Sequence, residues 1–197
     1  MSAVITANSL KSLQRFFDDL PDIAEEAAVL AINDTVQREG LTLIKKDMRD
    51  QVNFPAGYLE GGRLRPTRFA GRGRLEAVIR GRDRATSLAR FAPGQTPANT
   101  RGQGVRVGVS KGSSKVNKRF FLRKLKNGNT GLAIRLKPGE SLGQTSGAVE
   151  IGDNVFLLYG PSVDQVFRGV ADDRAAEIIG IVEAKFLRQF GRLARAR

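Results

Sequence analysis

Between Gly61 and Lys137 the chain carries twenty lysines and arginines against two carboxylates, Glu76 and Asp83, a local net charge of +18. The flanks differ sharply: residues 1–60 hold six basic and ten acidic side chains, and residues 138–197 hold seven and eight, so the overall +13 originates in the middle. Like charges gathered in a compact state repel one another. A fold that contains this stretch must display it, toward a polyanion, toward acidic neighbours or toward water. Arginine outnumbers lysine fourteen to six there. Its planar fork suits bidentate contact with phosphate and with carboxylate, so DNA, acidic protein neighbours and plain solvation all stay open as destinations.

The 197 residues, 41% of them hydrophobic, suffice for one well-formed core with an appended helical element. The chain has no cysteine and no histidine, which removes disulfide frameworks, thiol nucleophiles, the usual zinc sites and imidazole proton transfer. The paired acids Glu25-Glu26 and Asp172-Asp173 fall where helices are expected to begin, and the helix dipole accounts for them there. Within the basic block only Glu76 and Asp83 are on offer to a metal-dependent nuclease. We therefore expect no enzyme, and no catalytic, cofactor-binding or metal-binding residue. The start Met1-Ser2-Ala3-Val4-Ile5 lacks the basic and apolar pattern of a secretory signal, and no run approaches the roughly 18 apolar residues of a membrane span. Synthesis in the cytoplasm with no membrane partner is the expectation.

Three segments follow from the patterning: a helical region over 1–52, a basic strand-rich core with long loops over 53–170, and a C-terminal helix over 171–197 that packs on the core or on a neighbouring subunit. The first fifty residues read as helical, with Ser9 capping a short turn that presents Leu10, Leu13, Phe16 and Phe17. A longer helix starts at Asp18–Asp22, carries a small-residue stripe through Ala24, Ala27, Ala28 and Ala31, bends near Gly40 and stops before Phe54-Pro55. From Ala56 to Arg74 the Gly, Arg and Pro content predicts a mobile loop that orders on a partner, with one short strand near 68–70. Strands are expected at 75–80 and 105–109, with a helical turn at 87–91 and a loop at 93–104. The clearest local signal is an antiparallel hairpin over 120–136, turning at Asn127-Gly128. Another loop spans 137–154, a strand covers 155–159, Ser162 opens a short helix through Phe167, and the last helix starts near Asp172-Asp173. Helices, then strands, then helices specify an α+β fold with antiparallel pairing.

Candidate residues follow from charge and from position. Arg63, Arg65, Arg68, Arg72, Arg74, Arg101, Arg106, Lys118, Arg119 and Arg123 are candidates for contact with DNA or a partner. Phe120-Phe121 among these cations suggests stacking on single-stranded bases, but one ring of an adjacent pair in a strand must face the core, and the chain has no tryptophan. Gly71-Arg72-Gly73 and Gly102-Gln103-Gly104 lack the strand-to-helix setting of a phosphate-cradling loop. Tyr159, Gly160, Pro161 and Ser162, at a strand-to-helix corner, and Phe186 and Phe190, on the last helix, are candidates for subunit contact.

Taken in order, Leu88-Ala89-Arg90-Phe91, Gly104-Val105-Arg106-Val107, Phe120-Phe121 with Asn127-Gly128-Asn129, and Leu158-Tyr159-Gly160-Pro161-Ser162-Val163 with Phe167 nearby resemble the phage minor tail protein Z family. The resemblance extends over roughly residues 20–190, and its most specific piece is Leu-Tyr-Gly-Pro-Ser-Val. It implies a structural virion protein of a long-tailed bacteriophage that acts in tail completion. Such a protein would lie at the head-proximal end of the tail, near the neck, as a homo-oligomeric ring of sixfold symmetry. It would contact the tail terminator, tail tube or neck proteins and help position the end of the packaged double-stranded DNA. The alternative from another class is a sequence-independent double-stranded DNA-binding protein.

Overall fold

A computed structural model describes residues 3–6, 21–100, 102–142 and 147–195. The expected Ser9-capped turn lies outside the described residues. The fold is α+β with antiparallel pairing throughout its sheets. The chain divides into two compact units that interleave along the sequence: residues 1–48, 59–82 and 164–197 form one, residues 49–58 and 83–163 the other. This partition cuts across the sequential segments 1–52, 53–170 and 171–197.

In the first unit, β1 (Ala3–Thr6), β2 (Leu64–Arg68) and β3 (Glu76–Gly81) form a sheet in the order β1-β3-β2. Ala3 faces Ile79 across one edge of β3, and Leu64 faces Gly81 across the other. Ala77, Val78 and Ile79 are all buried. A central strand covered on both faces needs a continuous apolar run, which is why this segment alternates so imperfectly. β1 corrects the expectation of an all-helical start. β2 corrects the expectation of a mobile loop at 56–74: Leu59 and Leu64 are buried, and the backbone between Leu64 and Arg68 pairs with β3 within the chain.

Two helices, α1 (Pro21–Gln37) and α2 (Glu39–Gln51), follow one another with a turn at Arg38. Thr35 Oγ1 donates to the Ala31 carbonyl at 2.8 Å, a back-bond that tends to bend helices. Any Cβ on Gly40 would lie 2.9 Å from the Thr35 carbonyl oxygen. The bend expected near Gly40 thus falls one turn earlier in its cause and two residues earlier in its position. Further along the chain, α3 (Val163–Asp173) leads into α4 (Ala175–Arg195). The first of these runs six residues past Phe167, because Val163, Phe167 and Val170 recur at helical spacing and are all fully buried. Ala24, Ala27, Ala28 and Ala31, each without exposed surface, let α1 approach α4, whose Ile178, Val182 and Phe186 complete the core. Burying a phenylalanine such as Phe186 stabilises by about 1.5–3 kcal/mol.

The second unit holds β4 (Thr86–Ser87), a 3-10 turn (Leu88–Phe91), β5 (Val105–Val107), β6 (Lys115–Asn117), β7 (Phe120–Lys124), β8 (Thr130–Arg135), β9 (Ala148–Glu150) and β10 (Val155–Gly160). β4, β10, β8 and β7 are neighbours in that order, β9 lies beside β10, and β5 and β6 form a separate hairpin. The hairpin at 120–136 is present, with Phe120 opposite Ile134 and Lys124 opposite Thr130. Its turn closes by Leu125 N–H to the Asn129 carbonyl at 2.8 Å and Gly128 N–H to the Leu125 carbonyl at 2.9 Å, with Gly128 at φ 78°. That is the three-residue loop in which a left-handed glycine follows a tight turn. Both faces of this sheet are covered. Leu122, Leu132, Ile134 and Leu158 cluster on one side with Phe120 against them, and Ala133, Val155 and Leu157 gather on the other with Phe121. Each phenylalanine of the pair therefore belongs to a core rather than to a stacking platform. The loop expected over 137–154 is interrupted by β9, whose Val149 pairs with Leu157.

Candidate anion-binding cleft

The second unit contains an open cleft of about 720 Å³ whose walls carry Arg49, Arg90, Arg106 and Lys111 and no acidic side chain. Four separate segments supply the cations. Arg49 sits in the last turn of α2. Just beyond that helix the chain runs alongside residues 108–111: Asn53 N–H donates to the Val109 carbonyl at 2.8 Å, and Lys111 N–H donates to the Gln51 carbonyl at 3.0 Å. Asn53 Nδ2 adds bonds to the carbonyls of Gly108, at 3.0 Å, and Ser110, at 2.9 Å. These bonds fix Arg49 and Lys111 relative to each other. Gly108 carries no side chain, and a Cβ there would lie 2.9 Å from the Ser113 carbonyl oxygen, so the Lys111–Ser114 turn can fold back closely only onto a glycine.

Arg90 stands on the 3-10 turn with its guanidinium 5.2 Å from the centre of the Tyr58 ring, a cation–π placement that orients the charge. Tyr58 in turn stacks on Phe54, and Phe54 packs on Phe91 at 5.9 Å. The Phe91 carbonyl accepts from Gly108 N–H at 3.0 Å, joining this wall to the other. Arg106 lies on β5 with buried Val105 beside it and its own side chain exposed. Its backbone is held on both sides by one amide: Gln95 Nε2 donates to the Arg106 carbonyl at 2.7 Å, and Arg106 N–H donates to Gln95 Oε1 at 2.8 Å. The cleft thus presents fixed positive charge in a recess, where low-dielectric walls focus the field on an incoming anion.

Comparisons with protein-family models, curated proteins and solved structures found no match. The chain's own residues therefore carry the functional reading.

Of the described candidate contact residues, Arg106 alone lines this cleft. Arg63, Arg65, Arg68, Arg72 and Arg74 belong to the first unit, on and beyond β2; Lys118, Arg119 and Arg123 belong to the second, between β6 and the end of β7. Arg101 lies outside the described residues. Several of these arginines are engaged within the chain, among them Arg74, which donates to the Phe69 carbonyl at 3.3 Å, and Arg106, which donates to Ser114 Oγ at 3.5 Å. Arg68 pairs with Glu76. Arg119 clasps Glu140 with both terminal nitrogens, at 2.6 and 2.7 Å, and also donates to the Arg135 carbonyl at 3.1 Å. Glu140 further accepts from Lys137 N–H at 2.9 Å. The Arg119 hydrogen bond above all, then that backbone donor, hold the Glu140 carboxyl down to about 2. This pairing closes the turn after β8.

The residues proposed for subunit contact divide in the same way. Phe186 is fully buried and stacks on half-buried Phe190 at 5.8 Å. Ser162 is 1% exposed. A Cβ on Gly160 would sit 2.8 Å from Leu88 Cδ2, so that glycine serves the packing of β10 on the 3-10 turn. Phe186, Ser162 and Gly160 are thus accounted for inside the subunit, while Tyr159, Pro161 and Phe190 keep partial exposure. Sequence reading missed Arg49, Arg90 and Lys111. Among the described residues no helix is long and apolar enough to cross a membrane.

Proposed function

We propose that this protein is a non-enzymatic structural component of a long-tailed phage virion, a tail completion or minor tail protein at the head-proximal end. It assembles there as a homo-oligomeric ring, six copies by the symmetry of such tails. It meets the tail terminator, tube or neck proteins through its basic surface and stands beside the end of the packaged DNA. The observation that carries this reading is the concentration of positive charge: a cleft lined by four cations and no carboxylate, on a chain whose middle bears +18. Charge of that kind lowers in free energy when an acidic neighbour or a polyanion arrives. The order of sequence fragments that resembles the minor tail protein Z family gives the reading its setting.

Deleting the chain from a phage that encodes it tests this directly. Heads and tails should form yet fail to join or to infect, and the protein supplied in trans should restore joining. Wild-type yields of infectious particles without it would overturn the reading. Sequence-independent binding of duplex DNA is the second reading. It is favoured by Arg65, Arg72, Lys118 and Arg123, which are exposed and make no ion pair among the described residues. On that reading the observed binding constant falls with a log–log salt slope of about −0.9 per phosphate neutralised.

A further inference from the structure

The basic cleft of the second unit, we propose, is a docking site for an extended acidic peptide segment of a partner protein, whose carboxylates pair with Arg90, Arg106 and Lys111. The inference rests on the reading of this chain as an assembly protein and names what its basic face receives. Three features favour a peptide over a nucleic acid. The site is concave, and its volume of about 720 Å³ falls within the roughly 300–1,000 Å³ of pockets that enclose a ligand. A duplex presents its phosphates on a convex outer surface and meets exposed ridges more readily than a recess. Between the cations part of the wall is apolar, formed by Phe54, Pro55, Ala56, Phe91 and Pro93, beside the polar Asn53, Gln95, Ser113 and Ser114. The apolar part suits the side chains between carboxylates along a peptide, which a sugar–phosphate chain does not have. Lastly, the site is built before any ligand arrives: the Arg90 guanidinium is oriented by the Tyr58 ring, and the main chain that carries Arg106 and Lys111 is held by the two-sided Gln95 amide and by the bond to Gln51. Pre-positioned groups lose less freedom on binding, and arginine forks engage carboxylates bidentately.

The test uses the full chain and a fluorescent, end-blocked peptide of alternating glutamate and leucine, with the glutamine–leucine analogue and a duplex DNA as comparators. Two triple variants of equal charge change are compared: Arg90→Gln/Arg106→Gln/Lys111→Gln in the cleft, and Arg65→Gln/Arg72→Gln/Arg123→Gln outside it. The expected result is saturable binding of the acidic peptide, absent for the glutamine analogue, weakened about tenfold or more by the cleft variant and less than about threefold by the other. Amide shifts of wild-type protein on adding the peptide should centre on Gly112, Ser113 and Ser114, which keeps the test decisive should the cleft variant fold poorly. Equal weakening by both variants, shifts elsewhere, or duplex DNA competing the peptide out of the cleft would each overturn the proposal. Failure of peptide binding alongside a joining defect on deletion would sink the cleft inference and leave the tail reading standing; peptide binding without that defect would do the reverse.

Discussion

At the scale of single residues, the chain uses its charges in two distinct ways. Arg119 and Glu140 neutralise each other across a turn, and the carboxyl is held near 2 mainly by the arginine's hydrogen bond. Because the folded value lies below the ordinary carboxylate value, this pair's contribution to stability is fully present above about pH 4.5 and fades as pH falls through about 2. Carbon-detected NMR titration of Glu140 should give a midpoint near 2, moving up toward the ordinary range in Arg119→Gln; a midpoint unchanged by that substitution would contradict the pairing. Arg90, Arg106 and Lys111, by contrast, line a recess with no carboxylate. Backbone geometry is as specific at Gly104, where φ is 81° and a Cβ would lie 2.5 Å from Lys118 Cα. Gly104→Ala should cost roughly 2–4 kcal/mol in denaturant unfolding, from left-handed strain plus a forced shift of the β5–β6 hairpin.

Elements show which parts of the fold were legible and why. The β7–β8 hairpin could be read because its signals are local: alternating apolar residues and a glycine at the turn. β1 is a short strand whose partner, β3, comes from far along the chain, and β9, although it forms a local hairpin with β10, spans only Ala148–Glu150, too few residues for alternation to show. β2 was hidden by composition, since Leu64-Arg65-Pro66-Thr67-Arg68 looks like a loop. Its arginines and proline make sense at a sheet edge, where proline and charge discourage a further strand, and the register shifts between Pro66 and Arg68. Replacing Arg65, Pro66 and Arg68 together with valine should raise the self-associated fraction above that of the wild type in sedimentation at high protein concentration; an unchanged sedimentation profile would argue against edge protection. The cleft was illegible for a related reason. Arg106 stood out on an alternating strand, whereas Arg49, Arg90 and Lys111 meet it only through tertiary hydrogen bonds. Lys185 was equally silent in the sequence: it lies on the apolar face of α4, its side chain 7% exposed, and reaches Asp34 and Glu39. Lys185→Ala should destabilise by about 1–3 kcal/mol by leaving Asp34 without that partner and opening a gap, while Lys185→Met, which fills the space, should cost less. Equal losses for the two substitutions would assign the whole effect to the ion pair.

Across the whole molecule, the acidic flanks do not simply cancel the basic middle. Some of the positive charge is settled within each unit, as at Arg68 and Arg119, and some is presented outward, as at the cleft and at Arg65, Arg72, Lys118 and Arg123. On the proposed function, this outward charge is met by other components of a phage tail. The most direct measurement is an averaged electron cryomicroscopy map of the head-proximal end of virions that carry the protein. The expected result is a ring built from this fold, with density from a neighbouring protein seated among Arg90, Arg106 and Lys111. Virions whose neck and tail lack the fold, or a ring in which those three side chains face open solvent, would contradict it.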